Sequence, residues 1–275
     1  MGAAGALARR RRGSLSRALF RAATWALLAF TVALLGAICF STAAYTDLRT
    51  LIKALTSDEV LFSIKLTILT TTLSTVICMV WGIPVAYALS RYRIPASTLV
   101  DTIIDLPIVL PPMAGGIVLL LFFGYYLGDV LEKWGLRLTY TQRGIIVAQV
   151  LASVSFAVRT IKAAFDSVNP RMEQVARTLG SSEFRVFLRI TLPQARNGIL
   201  AGAVITWMRV MGLFGPVALF AGMTRFYTEI MPISIFLHES VGELEEAVAL
   251  TLALLLLSLA TLVVFKKLGG RGYLW

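Results

Sequence analysis

The chain has 275 residues, of which 57% are hydrophobic and only 15% charged, with a mean hydropathy of +0.80. Soluble domains are about half apolar and a quarter charged, so a water-soluble globular fold is excluded. The net charge of +11 raises the possibility of a nucleic-acid partner, and the placement of the basic residues decides against it.

Apolar blocks long enough to cross a hydrocarbon core of about 30 Å, which takes about 20 helical residues, recur six times. In chain order they run approximately over 25–44, 64–89, 108–127, 144–165, 198–222 and 247–265. They lack the alternation of barrel strands, and backbone groups in lipid must be satisfied within the segment. The predicted class is therefore an all-α polytopic membrane protein with about six transmembrane helices. A basic segment, residues 1–21, precedes a transmembrane domain over 22–268.

The first block follows Arg9, Arg10, Arg11 and Arg12, as a cleavable signal would, but its spanning length reads as an anchor. With the N-terminus inside, eighteen basic residues fall in cytoplasmic segments. These are the six up to Arg21, then Arg91 and Arg93, the seven from Arg159 to Arg196, and Lys266, Lys267 and Arg271. The outer loops hold six: Arg49, Lys53, Lys133, Arg137, Arg143 and Arg225. That positive-inside bias puts both termini in the cytoplasm, makes the protein a multi-pass component of the cell membrane, and accounts for the charge without nucleic acid. Cys39 and Cys78 lie in apolar blocks and read as packing residues.

The third block carries Pro107 at its edge, then Pro111, Pro112, Gly115 and Gly116. In a membrane such a segment lines a cavity or hinge, or simply kinks for packing. Asp105 reads as a solvated residue at its end. The long loop 166–197 reads as helix, break, helix. Pro170 suits a first helical position, Gly180 a left-handed helix end, Ser181 a cap with Glu183 beside it, and Pro193 a terminator. Met172, Val175, Ala176 and Leu179 recur at helical spacing, as do Phe184, Phe187 and Leu188. The residues alone leave two readings open, a hairpin on the inner leaflet and a docking element for another protein.

Arg209 stands about eleven residues into the fifth block, where an unpaired charge costs at least about 2.5–3.5 kcal/mol. It either lines a path for a doubly negative oxyanion, with Gly212 beside it, or pairs with a carboxylate or backbone carbonyls as structural glue. His238 is the sole histidine; without a second one four residues on, a zinc hydrolase is unsupported, no metal site is expected, and the residue reads as an outer-surface contact or a solvated loop position. Glu239, Glu243, Glu245 and Glu246 read as a solvated helix start.

Within the loop, Glu173, Ala176, Gly180 and Leu192-Pro193 fall where the cytoplasmic Glu-Ala-Ala loop of ATP-binding-cassette importer permeases has its glutamate, alanine, glycine and Leu-Pro. Val175 replaces the more usual first alanine. The resemblance runs from about Ser63 to Phe265 and is closest to the permeases for molybdate, tungstate and sulfate. It includes the stretch from Asp105 to Gly116, that from Ala195 to Gly202, and Thr224 to Ile233, similar to the family's outer gate region. Where that family often has Gly-Glu-Phe-Gly, this chain has Gly212-Leu213-Phe214-Gly215.

The resemblance implies a type I importer (MetI-like) permease fold. It also implies an ATPase-coupling role for Glu173, Ala176, Gly180, Phe184, Phe187 and Pro193. The expected partners are a cytoplasmic ATPase dimer, an extracytoplasmic binding protein and a second permease copy. No phosphate loop is present, so ATP and magnesium belong to the partner, and no catalytic residue or cofactor is expected on this chain. The competing classes are a gradient-driven transporter, which calls for inverted repeats and in-span carboxylates, and an intramembrane enzyme, which calls for a nucleophile and base.

Overall fold

The computed structural model describes residues 3–45 and 47–268, without the side chains of 3–16 and of a few further helical positions. The side chains of Arg9 to Arg12 and of Lys266, and the whole of Arg271, therefore lie outside the described residues. All regular structure in the described residues is helical.

The helices are α1 (Ala3–Tyr45), α2 (Leu48–Leu55), α3 (Asp58–Arg91), α4 (Ser97–Val109), α5 (Pro112–Leu120), α6 (Gly128–Lys133), α7 (Gln142–Asp166), α8 (Pro170–Thr178), α9 (Glu183–Val186), α10 (Leu192–Met211), α11 (Gly215–Ala221), α12 (Met231–Ser240) and α13 (Leu244–Leu268). Wider π-helical turns occupy Leu121–Tyr126 and Phe187–Thr191. By length and composition, α1, α3, α7 and α13 each cross a membrane. With each of two bent pairs, 97–126 and 183–221, counted as one span, the number rises to six.

The centre of the molecule is α7, flanked by α3 and α10. Near the C-terminal end of α7, Ile161 and Phe165 pack with Tyr87 of α3 and Ile199 of α10. At its other end, Ile145 and Ala148 pack with Phe220 of α11, Ile230 and Ile233. Between the two clusters, Ser74 donates to Oε1 of buried Gln149 at 2.8 Å, and the Gln149 amide donates back to Thr70 at 3.4 Å. A buried amide in an apolar span has no water to turn to, so this exchange cross-links α3 and α7. Small residues set the approach of α10: a Cβ on Gly202 would stand 3.2 Å from Thr160, and one on Gly198 would collide with Ala164. By contrast α1, whose main contact in the chain is α13, has none of its spanning window buried and turns its side chains outward.

Four sequence expectations are corrected here. The third block is not a straight span: α4, not foreseen, meets α5 at 108°. Leu110 and Pro111 are extended at the junction, with ψ of 129° and 135°, because a residue that precedes proline is pushed out of the helical region. Pro193 does not end the second cytoplasmic helix, since it occupies the first turn of α10 in one helical run from Glu183 to Met211. The π turn just ahead of it relieves the clash between the proline ring and the preceding turn. Ser182, not Ser181, is the capping position of α9, and its side chain makes no capping bond. Asp105 is not a free solvated residue; Arg159 of α7 donates to it at 2.7 Å, and to Asp101 at 2.7 Å, so α4 is clamped to α7.

Candidate functional site: an arginine-bearing cavity above a helical hairpin

The two bends face each other. Between them lies a cavity of about 240 Å³ lined by Pro107 and Leu110 of the first bend, Pro112, Gly115 and Leu119 of α5, Leu151 and Ala152 of α7, and Arg209, Leu213 and Pro216 of the second bend. The closeness of α5 to α11 depends on Gly116, where a Cβ would stand 2.9 Å from Leu219. Of the five residues assigned to a path, the structure places Pro107, Pro112 and Arg209 on this cavity. Pro111 forms the bend, and Gly212 ends α10 one residue before the lining Leu213.

Arg209 is the one charged residue on a wall otherwise made of apolar side chains, prolines and glycine. No carboxylate among the described residues pairs with it; its guanidinium lies over the Phe156 ring at 3.5 Å. Such a contact is worth about 0.5–2 kcal/mol, less than the about 2.5–3.5 kcal/mol insertion cost of a mid-span arginine. The ring face leaves the guanidinium edge, with its forked donors, free to bind. Phe156 has no sequence signal of its own, since it is one apolar residue among many on α7.

The hairpin lies at the other end of α7. Asn169 caps α8 by accepting from the Arg171 amide at 3.0 Å, and Pro170 follows it at the first helical position. Gly180 closes the helix with φ +86°: its amide donates to Arg177 at 2.9 Å and that of Ser181 to Ala176 at 3.1 Å. This paired closure requires a left-handed residue. Glu183 then accepts from Tyr92 at 2.9 Å and from Arg177 at 3.1 Å. The Glu183 bond, and after it burial, hold the Tyr92 phenol above its ordinary pKa.

Glu173 and Phe187 do not lie on an exposed face. Glu173 is 4% exposed and receives Arg91 at 2.8 Å and Thr191 at 3.0 Å. Arg91 donates on to the carbonyls of Phe165 and Val168 at 2.9 and 3.2 Å. One carboxylate thus ties α8 to the ends of α3, α7 and the second π turn. Phe187 packs its ring 4.8 Å from that of Tyr87 and 6.1 Å from that of Phe165. The outward residues are Met172, Val175, Leu179 (81% exposed) and Phe184 (71% exposed); Ala176 is half-buried and Pro193 exposed. Arg91 and Thr191 were not read as members of this unit, because Arg91 appeared only as one more basic residue at a span end.

Comparison with known proteins accords with this geometry. Residues 79–270 match the family described as binding-protein-dependent transport system inner membrane component. The chain is 32% identical over 222 residues to the sulfate transport system permease protein CysT of Escherichia coli, covering 80% of each chain. It is 35% identical over 204 residues to the molybdenum transport system permease protein ModB of Mycobacterium tuberculosis, covering 74% of this chain and 76% of that one. It is 30% identical over 226 residues to the molybdate/tungstate transport system permease protein WtpB of Thermococcus kodakarensis, covering 82% and 85%. In fold it is similar to a chain of a bacterial alginate ABC transporter, with TM-score 0.71, 18% identity and 95% and 96% of the two chains covered. A chain of the MetNI methionine ABC transporter follows at TM-score 0.61, 17% identity and 75% and 93% coverage. This bent-span helical bundle, matched over most of its length, belongs to the binding-protein-dependent transport system inner membrane components, the permease subunits of ABC importers.

Proposed function

We propose that this permease passes a tetrahedral, doubly charged oxyanion of the molybdate, tungstate or sulfate kind through the cavity between its two bends. The observation that carries the reading is Arg209, a fixed cation on an otherwise apolar wall with no carboxylate among the described residues to neutralise it. Leu213 lines the same wall, so the position one helical turn on adds no negative charge that would repel the anion. The sulfate and molybdate permeases among its relatives support the same class of substrate.

Energy comes from a cytoplasmic ATPase dimer, which holds ATP and magnesium, and substrate comes from an extracytoplasmic binding protein. The hairpin from Pro170 to Pro193 couples the first partner to the spans: Leu179 and Phe184 enter a groove on the ATPase, while Glu173 and Phe187 transmit its movement inward. The cavity is built from one chain's bends, and the pathway is shared between two permease copies. Both termini lie in the cytoplasm.

Vesicles reconstituted with the permease, its ATPase and its binding protein test the substrate class. Labelled molybdate or sulfate is expected to accumulate with ATP, with unlabelled tungstate competing and phosphate esters or sugars not. ATP-driven uptake of a neutral solute, with no oxyanion uptake, would overturn the reading.

A further inference from the structure

On the face opposite the hairpin, three ionisable groups converge. Glu59 lies in the first turn of α3, Glu229 in the loop ahead of α12 and His238 in the last turn of α12. One donor atom from each lies within 4.8 Å of the other two. His238, expected at the surface, is 5% exposed. Its Nδ1 lies 2.8 Å from the Ser234 carbonyl oxygen, an acceptor only, so Nδ1 donates there and Nε2 is the ring nitrogen turned toward the carboxylates. That arrangement, one ring nitrogen donating to a carbonyl and the other free, is how metal-ligating histidines are oriented.

Glu229 is fully buried. One of its oxygens accepts from the Phe226 amide at 3.0 Å, and the other, Oε1, is buried without a hydrogen-bond partner. Arg225 lies 3.1 Å from Glu59 and offsets charge at the solvent edge only. Two adjacent carboxylates, each with a buried oxygen that accepts no hydrogen bond, need a cation or a shared proton. We propose that Glu59, Glu229 and His238 form a divalent transition-metal site of the zinc class, with water or rim-exposed Glu243, 3.8 Å from His238 Nε2, in the fourth position.

The donor set selects the ion. One imidazole and two carboxylates suit four-coordinate zinc, whereas calcium takes six to eight oxygens and magnesium keeps an octahedral shell of waters. The bound ion ties α3 to the loop 222–230 and to α12, and so rigidifies this rim of the cavity-bearing half.

The test uses full-length permease in lipid nanodiscs, purified without a histidine tag and stripped with chelator. Cobalt titration is expected to give the visible absorption of a tetrahedral site at one equivalent per chain. Zinc is expected to compete for it, to raise the thermal midpoint, and to protect His238, the sole histidine, from diethyl pyrocarbonate. Glu229→Gln and His238→Ala should weaken binding by at least about tenfold, since even outer-shell partners of a metal site are worth about 10- to 100-fold. Glu59→Gln, at the solvent edge, provides the same readout if the buried variants do not fold. Absence of stoichiometric binding in the wild type, or unchanged binding in the variants that fold, overturns the proposal and leaves a proton shared between the carboxylates.

Discussion

Arg209 and Glu173 are both ionised groups inside a membrane protein, and their surroundings give them opposite roles. Glu173 is saturated by Arg91 and Thr191, whereas Arg209 has an aromatic face on one side and a cavity on the other. A charge-assisted hydrogen bond contributes about 1.5–3 kcal/mol, and about 1.4 kcal/mol is a factor of ten. Arg209→Leu should therefore lower oxyanion uptake by at least about tenfold with an unchanged size-exclusion profile, and Arg209→Lys should retain part of it. Normal uptake in Arg209→Leu would remove the selectivity role. Glu173→Ala leaves the Arg91 guanidinium buried and unpaired, at a cost of about 3–5 kcal/mol. It should lower the thermal midpoint and the yield, and Arg91→Met combined with Glu173→Met should recover much of both. A midpoint unchanged in the single variant would place the pair outside the stability of the hairpin.

At the scale of the element, the hairpin exposes its apolar side chains while Glu173 is buried. Leu179 and Phe184 are exposed apolar side chains on a face rimmed by Arg177 and Arg185. Changing both to Asp removes no internal contact of the fold. Insertion and thermal midpoint should stay as in the wild type, while ATPase stimulation by the loaded binding protein is lost. Full stimulation would mean that this face meets lipid instead. A different limit governs α7 and α10, where no side chain fits between Gly198 and Ala164. Gly198→Leu should prevent accumulation of folded protein, while Gly36→Leu, on α1 with open space around it, should be silent. Equal yields for the two would mean that the α7–α10 approach is not tight.

Across the whole molecule, contacts join ends that the basic-residue pattern assigns to one side. Arg91 meets Glu173 at one face, and Arg225 meets Glu59 at the other. A reporter inserted between Met223 and Glu246 should therefore report an external location, and fusions at either terminus a cytoplasmic one. A cytoplasmic signal from the 223–246 loop would reverse the topology. The exposure of α1 along its entire spanning window leaves that helix to lipid or to a second subunit, which suits an assembled transporter more than an isolated one.

The sequence by itself determined what depends on length and local chemistry. Six apolar blocks, the break at Gly180, the start of α8 at Pro170 and the importer pattern of the loop are all legible, because spanning length, a left-handed glycine and a proline-led helix are local requirements. The tertiary structure alone decided which side of each element is buried. A span that is apolar all round carries little periodic signal of its inner face, so nothing local marked Phe156 as the seat of Arg209 or separated half-buried Phe187 from exposed Phe184. The 108° turn at Leu110 and Pro111 looked like a kink until α4 was held to α7 by Arg159. Glu59 lies far in the chain from Glu229 and His238, and only the packing of α12 beside α3 brings the three donor atoms to one place.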